Sequence, residues 1–343
     1  MQERDLNQVT RRSFLDKLLI ATGIGAAGAV FGAGFAVLDN EDANPAGEAS
    51  TQEHAPGPRV SGTIAEPIPA ELEPATDSRA KQLTLEAIDA TLEIGAGVEY
   101  NAWTFGGRVP GPVVHVKQGD EVQFTFTNNA RSGGHSIDFH SAQTPWNLNY
   151  KTILPGESLS FDWTANFPGV FMYHCGTAPV LHHISNGMYG AVVVDPETPL
   201  PPAREYVLVQ SEFYASSPAE ANRWSGDMDK MLANRPDLMA FNGKAFQYRD
   251  HPLPADAGEL IRLYVVNSGP TQFSAFHVIG AIFERVLVDG NPNNVLEGIS
   301  TWTIPPGGGA TFELIIPDAG QYPFVTHSFA YTELGAVGLI DVT

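Results

Sequence analysis

Gly119-Asp120-Glu121-Val122-Gln123-Phe124-Thr125-Phe126-Thr127-Asn128 is a turn followed by alternating apolar and polar residues, the period of a strand with one buried face. The chain answers it with Gly258-Glu259-Leu260-Ile261-Arg262-Leu263-Tyr264-Val265-Val266-Asn267. Further along, Thr152-Ile153-Leu154-Pro155-Gly156 has a counterpart in Thr303-Ile304-Pro305-Pro306-Gly307. Phe167-Pro168-Gly169-Val170-Phe171 likewise matches Asp318-Ala319-Gly320-Gln321-Tyr322. Matches kept in one order predict an all-β chain of two tandem sandwiches, residues 81–197 and 203–343, joined by the stiff Pro199-Leu200-Pro201-Pro202. The 34 glycines and 26 prolines among 343 residues suit short strands and loops. Helix-forming residues between 217 and 240 predict a helical segment packed outside the second sheet.

The ends and the charge constrain where the protein works. Thr10-Arg11-Arg12-Ser13-Phe14-Leu15-Asp16-Lys17 is a twin-arginine pattern ahead of an apolar Gly/Ala-rich stretch from Leu18 to Leu38. Residues 1–39 therefore read as a Tat export signal or a retained anchor, which places the protein in the periplasm or on the outer face of the cytoplasmic membrane. Residues 40–80, rich in Pro, Ala, Glu and Thr, read as a flexible linker. A formal charge of −20 excludes nucleic acid as a partner, because phosphate recognition needs a basic surface. With one cysteine, Cys175, no disulfide can form within the chain.

That cysteine ends Phe171-Met172-Tyr173-His174-Cys175, and His183 and Met188 follow it. With His135 upstream, in His135-Ser136-Ile137-Asp138-Phe139-His140, these are the donors of a type 1 copper site: two imidazoles, a thiolate and an axial thioether. Side chains alternate across a strand, so His174 and Cys175 must diverge, as must His135 and His140, while Asp138 and His140 share a face. One centre then takes His135, Cys175, His183 and Met188, and another faces Asp138, His140 and His174. A second metal needs a further imidazole, and His327 is the natural third. Three neutral imidazoles with an open position suit a catalytic copper or zinc. In the second repeat Thr326 stands where the cysteine would fall, so only the first holds the thiolate centre; His277 and His327 are what the second retains. Of the remaining histidines, His54 and His251 read as solvated, His115 as structural, and His182 as pointing away from its neighbour His183.

The motifs His-Ser-Ile-Asp-Phe-His, Phe-Met-Tyr-His-Cys, His-Ile-Ser-Asn-Gly-Met-Tyr-Gly, Phe-His-Val-Ile-Gly and Thr-His-Ser-Phe resemble those of the copper-containing nitrite reductases of the two-domain cupredoxin type, short-loop branch. The resemblance runs from about residue 80 to the C-terminus. It implies two Greek-key cupredoxin-like domains, with His135, Cys175, His183 and Met188 on a type 1 copper and His140, His174 and His327 on a type 2 copper. It further implies that Asp138 and His277 handle protons and that Ile279 shapes the nitrite pocket. It implies a homotrimer in which His327 reaches a neighbour's type 2 copper, which would close the site by heterologous contacts. The reaction implied is the denitrification step from nitrite to nitric oxide and water. Its electrons would come from a small cupredoxin or cytochrome c and cross the Cys175–His174 link. His182 departs from the Trp or Met found there in many members. Among rivals, a multicopper oxidase is disfavoured because no His-x-His occurs and Gly176 follows Cys175. An electron carrier with a vestigial second site fits poorly with a full set of type 2 histidines. A two-domain oxidase acting on another substrate, such as oxygen, is the remaining alternative.

Overall fold

The computed structural model describes residues 57–216, 218 and 222–343; the export segment 1–39 and residues 40–56, with His54, lie outside them. Two sandwiches form the frame, each built on a pair of four-strand sheet cores with the same topology. In the first, β1 (Ala80–Gly95), β2 (Val98–Phe105), β4 (Glu121–Asn128) and β6 (Ser158–Thr164) make one sheet in the order β2-β1-β4-β6. Against it lies the order β3-β8-β7-β5, from β3 (Val114–Lys117), β5 (Asp138–Phe139), β7 (Gly169–His174) and β8 (Tyr189–Asp195).

The second sandwich repeats this plan. Its sheets run β11-β9-β13-β18-β15-β16 and β12-β20-β19-β14-β17. The strands of the first are β9 (Arg204–Phe213), β11 (Leu238–Phe241), β13 (Leu260–Gly269), β15 (Phe283–Val288), β16 (Val295–Ile299) and β18 (Gly309–Ile315). Those of the other are β12 (Leu253–Ala255), β14 (Ser274–Val278), β17 (Thr301–Ile304), β19 (Gly320–Thr326) and β20 (Val337–Val342). The parallel pairs β1·β4 and β3·β8 recur as β9·β13 and β12·β20, so β4, β5 and β7 correspond to β13, β14 and β19.

Burial explains which strands alternate in sequence and which do not. β4 has one solvated face and buries Val122, Phe124 and Phe126 in the first core. By contrast β8, β9, β11 and β13 are buried on both faces, which calls for continuous apolar runs. Their alternate residues enter different cores: Tyr206 and Leu208 face the second core, whereas Val207 and Val209 join a third cluster with Tyr189, Ala191 and Val193 of the first sandwich. That shared cluster welds the two sandwiches.

Two expectations are corrected. Residues 57–80 are not a free tether. Ile64 and Ala70 are buried, Ile64 and Ile68 N–H groups donate to the side chains of Asp250 and Gln247, and Val207 N–H donates to the Ala70 carbonyl at 2.7 Å. His251 is half-buried and bonded to the Ile64 carbonyl, so it is not simply solvated. The 217–240 segment is not a helical layer on the second sheet either. Its described residues hold one short helix, Met228–Leu232, and two strands: β11 within the second sandwich, and β10 (Arg223–Trp224), which crosses to pair with β2 of the first sandwich. Leu238-Met239-Ala240-Phe241 is apolar at each position because Met239 and Phe241 fill the second core while Leu238 and Ala240 fill the shared one.

Candidate metal centres

His135, Cys175 and His183 converge beneath the first sandwich's loops, all buried. Cys175 follows the last residue of β7 and is fully buried. His135 is bridged by two backbone hydrogen bonds to Ile153. His183 sits on the helix Val180–Ser185. Gly187 then lets the chain reverse at φ +112°, where a Cβ would strike Val109 at 2.5 Å, and Met188 follows, fully buried. The Cys175 N–H donates to the Met188 carbonyl at 3.1 Å. Sγ of Cys175 lies 3.2 Å from His183 Nδ1 and 4.0 Å from His135 Nδ1, and the two Nδ1 atoms are 3.2 Å apart. A metal about 2.0–2.3 Å from three trigonal donors holds them roughly 3.5–4 Å apart, so the cluster has the size of one ion's shell.

Electrostatics favour a cation there. Burial depresses the pKa of His135, and burial reinforced by His135 and His182 draws that of His183 down to about 4. Both rings are therefore neutral, with lone pairs to give. Burial pushes the Cys175 thiol up, against the opposing N–H groups of Ser136 and Thr177, so a bound cation is what would draw off its proton. The Ser136 N–H donates to Sγ at 3.4 Å.

Asp138, His140 and His174 form a second group. Asp138 pairs directly opposite His174 across β5 and β7. His174 Nδ1 donates to the Cys175 carbonyl at 2.9 Å and His140 Nδ1 to the Gly307 carbonyl at 3.0 Å. Both Nε2 atoms then carry lone pairs, and they face each other 3.1 Å apart, an arrangement that a cation between them relieves. Asp138 Oδ2 lies 3.8 Å from His174 Nε2. Burial lowers the His174 pKa, which keeps that ring neutral.

The structure does not bring His327 into this group. Its ring lies against His277, with centroids 5.5 Å apart, on the second sandwich. His277 Nδ1 donates to the Ser300 carbonyl at 2.6 Å. Ile279, two residues on, is exposed. His182 packs edge-on against Trp103 at 4.6 Å, and that indole also abuts His135 and His183. His115 bridges the Glu73 carbonyl and Asp195.

Strand correspondence shows what the second sandwich lost. Thr326 N–H meets the Ala336 carbonyl as Cys175 N–H meets that of Met188, and Ala336 N–H meets the Tyr331 carbonyl as Met188 N–H meets that of His183. Ser274, Thr326, Tyr331 and Ala336 thus stand where the first sandwich has His135, Cys175, His183 and Met188. Asp138 and His277 are themselves equivalent, each one residue before the buried Phe139 or Val278. Sequence reading passed over Asn128 and Asn267. Each is buried near the end of the matching strand, and each side-chain N–H₂ ties the loop that follows to a distant segment: Asn128 donates to the Gly133 and Ile153 carbonyls, Asn267 to those of Gln272 and Ile304. Their identical place in the repeat was the available signal.

The family model described as multicopper oxidase matches residues 87–199. The chain is 39% identical over 267 residues to the copper-containing nitrite reductase of Neisseria meningitidis serogroup A, covering 76% of this chain and 69% of that protein. It is 32% identical over 287 residues to that of Rhizobium sullae, covering 76% and 74%. Among solved structures, a copper nitrite reductase from Nitrosomonas europaea superposes with a TM-score of 0.71 at 40% identity, covering 77% of this chain and 94% of that one. A multicopper oxidase superposes with a TM-score of 0.68 at 26% identity, covering 77% and 89%. Identity and coverage of this extent, on one fold, place the chain in the copper-containing nitrite reductase family.

Proposed function

We propose that the protein is an NO-forming nitrite reductase: nitrite, one electron and two protons give nitric oxide and water. The observation that carries this reading is that His174 and Cys175, joined by one peptide bond, point into two different donor groups. His135, Cys175, His183 and Met188 are assigned to one type 1 copper per subunit, and His140, His174 and His327 to one type 2 copper. Bound there, copper supplies one-electron exchange at the first site and Lewis-acid polarisation of nitrite at the second.

The chain's own groups supply the rest. The covalent Cys175–His174 link bridges the two sets of donors. Asp138, half-buried beside His174, holds and releases one proton toward a nitrite oxygen. With its Nδ1 hydrogen committed to Ser300, His277 offers Nε2 as the second proton carrier. Ile279 presents an apolar wall to the substrate.

His277 and His327 lie apart from His140 and His174 within one chain. This separation supports a homotrimer in which each interface completes one type 2 site. Exposed Ile279, Ile282 and Phe329 near those histidines in sequence suit an apolar subunit contact. The twin-arginine segment supports export to the periplasm or the outer face of the cytoplasmic membrane. The acidic charge suits a small cupredoxin or cytochrome c donor with a basic docking face.

The test is anaerobic nitric oxide release, followed by electrode, from nitrite and a reduced artificial donor. Release that disappears when type 2 copper is withdrawn is the expected result. Full copper loading with a blue band and no nitric oxide would overturn the proposal in favour of an electron carrier or an enzyme of another substrate.

A further inference from the structure

His135 turns Nδ1 toward Cys175 and His183, which leaves its Nε2–H to find an acceptor. That acceptor is Ser132 Oγ, 3.0 Å away. The imidazole is fully buried, so an unmet N–H there would be costly. Ser132 is exposed, yet its position is fixed. Asp89 Oδ2, from β1, accepts the N–H groups of both Arg131 and Ser132, at 2.5 and 3.0 Å. On the other side of the same loop, Asn128 Oδ1 accepts the Ala130 N–H and its amide donates to the Gly133 carbonyl.

We propose that Ser132, held by Asp89, is a positioning residue that fixes the tautomer and orientation of His135 and thereby sets the copper affinity and potential of the Cys175 site. The inference rests on the assignment of that cluster as a type 1 centre. The physical argument is that an imidazole donating its distal N–H to an oxygen is a stronger electron donor through its other nitrogen. A stronger donor stabilises the oxidised metal, so loss of the serine oxygen raises the potential and weakens Cu(II) retention. Ser132 and Asp89 also line a surface cleft of about 290 Å³ with Trp103, through which water can reach the gap left by a smaller side chain. Ser132→Val, which fills that gap with methyl groups, is therefore a sharper probe than Ser132→Ala.

The experiment compares copper-loaded full-length wild type, Ser132→Val, Ser132→Thr and Asp89→Ala by redox titration of the visible band and by Cu(II) competition. Ser132→Val should shift the midpoint upward and lower Cu(II) affinity on the order of tenfold or more, with Ser132→Thr restoring both. Asp89→Ala should move both readouts in the Ser132→Val direction. A wild-type midpoint and affinity in Ser132→Val overturns the role of Ser132, and the same result in Asp89→Ala alone removes Asp89 from it. Thermal unfolding of the copper-free variants separates this from a merely structural loss: equal midpoints alongside a shifted potential support positioning. No visible band in the wild type, or a band that survives Cys175→Ala, would strike the type 1 assignment itself.

Discussion

His174 and Cys175 show how much a single strand position decides. His174 ends β7 and Cys175 follows it, so their successive side chains leave opposite faces: Cys175 enters the thiolate cluster and His174 faces His140. Asp138 sits on the neighbouring strand directly across from His174, where its carboxylate reaches the Nε2 side of the ring. Asp138→Asn keeps the shape and removes the exchangeable proton. Turnover should fall about 10²–10⁴-fold with the visible band unchanged, in steady-state assays paired with absorption spectra. Retained turnover would exclude Asp138 from proton delivery. The convergence of His135 and His183 on Cys175 was legible in sequence because a thiolate and imidazoles at that spacing are a donor set that copper favours. Ser132 was not legible, because a hydroxyl three residues before a histidine has no meaning until the loop is folded back.

Elements carry the two corrections. Residues 40–80 look like a linker because Pro, Ala, Glu and Thr dominate their composition, and composition does not register that a few apolar side chains of the described part, 57–80, dock. Ile64 is 2% exposed and anchors the segment against the chain near Gln247–Asp250. Ile64→Ala should therefore cost about 2 kcal/mol or more in chemical unfolding, whereas a free tether would show no change. The 217–240 segment looks helical for a related reason. Leu238-Met239-Ala240-Phe241 suits either a helix or a strand, and its apolar continuity makes sense only once two cores flank β11. Where one face met solvent, as on β4, the alternation was visible.

At the scale of the whole molecule, the duplicated frame has been put to unequal use. The first sandwich keeps a complete thiolate cluster. The second has Ser274, Thr326, Tyr331 and Ala336 in its place, with Thr326 turned to structure: its hydroxyl accepts the Ala275 N–H at 3.1 Å. It carries His277 and His327 instead, ring against ring at 5.5 Å. If subunit contacts join the halves, His140→Ala and His327→Ala subunits are each inactive as homotrimers. Mixed trimers should regain part of the nitrite turnover, because some interfaces then pair intact partners. Co-expression with two affinity tags and assay of the doubly purified species checks this. Absence of any recovery would argue that the site is completed within one chain.

Taken alone, the sequence determined the all-β duplication, the donor set around Cys175 and the partition of Asp138 and His174 from Cys175. These follow from local periodicity and from the fixed chemistry of metal ligands. Tertiary structure alone decided that 57–80 docks, that β10 crosses to the first sandwich, that one shared core welds the two halves, and that Asp89 and Ser132 meet His135. It also decided that His327 pairs with His277 within the chain. Such contacts join residues far apart in sequence, and no local pattern encodes which surfaces will close on each other.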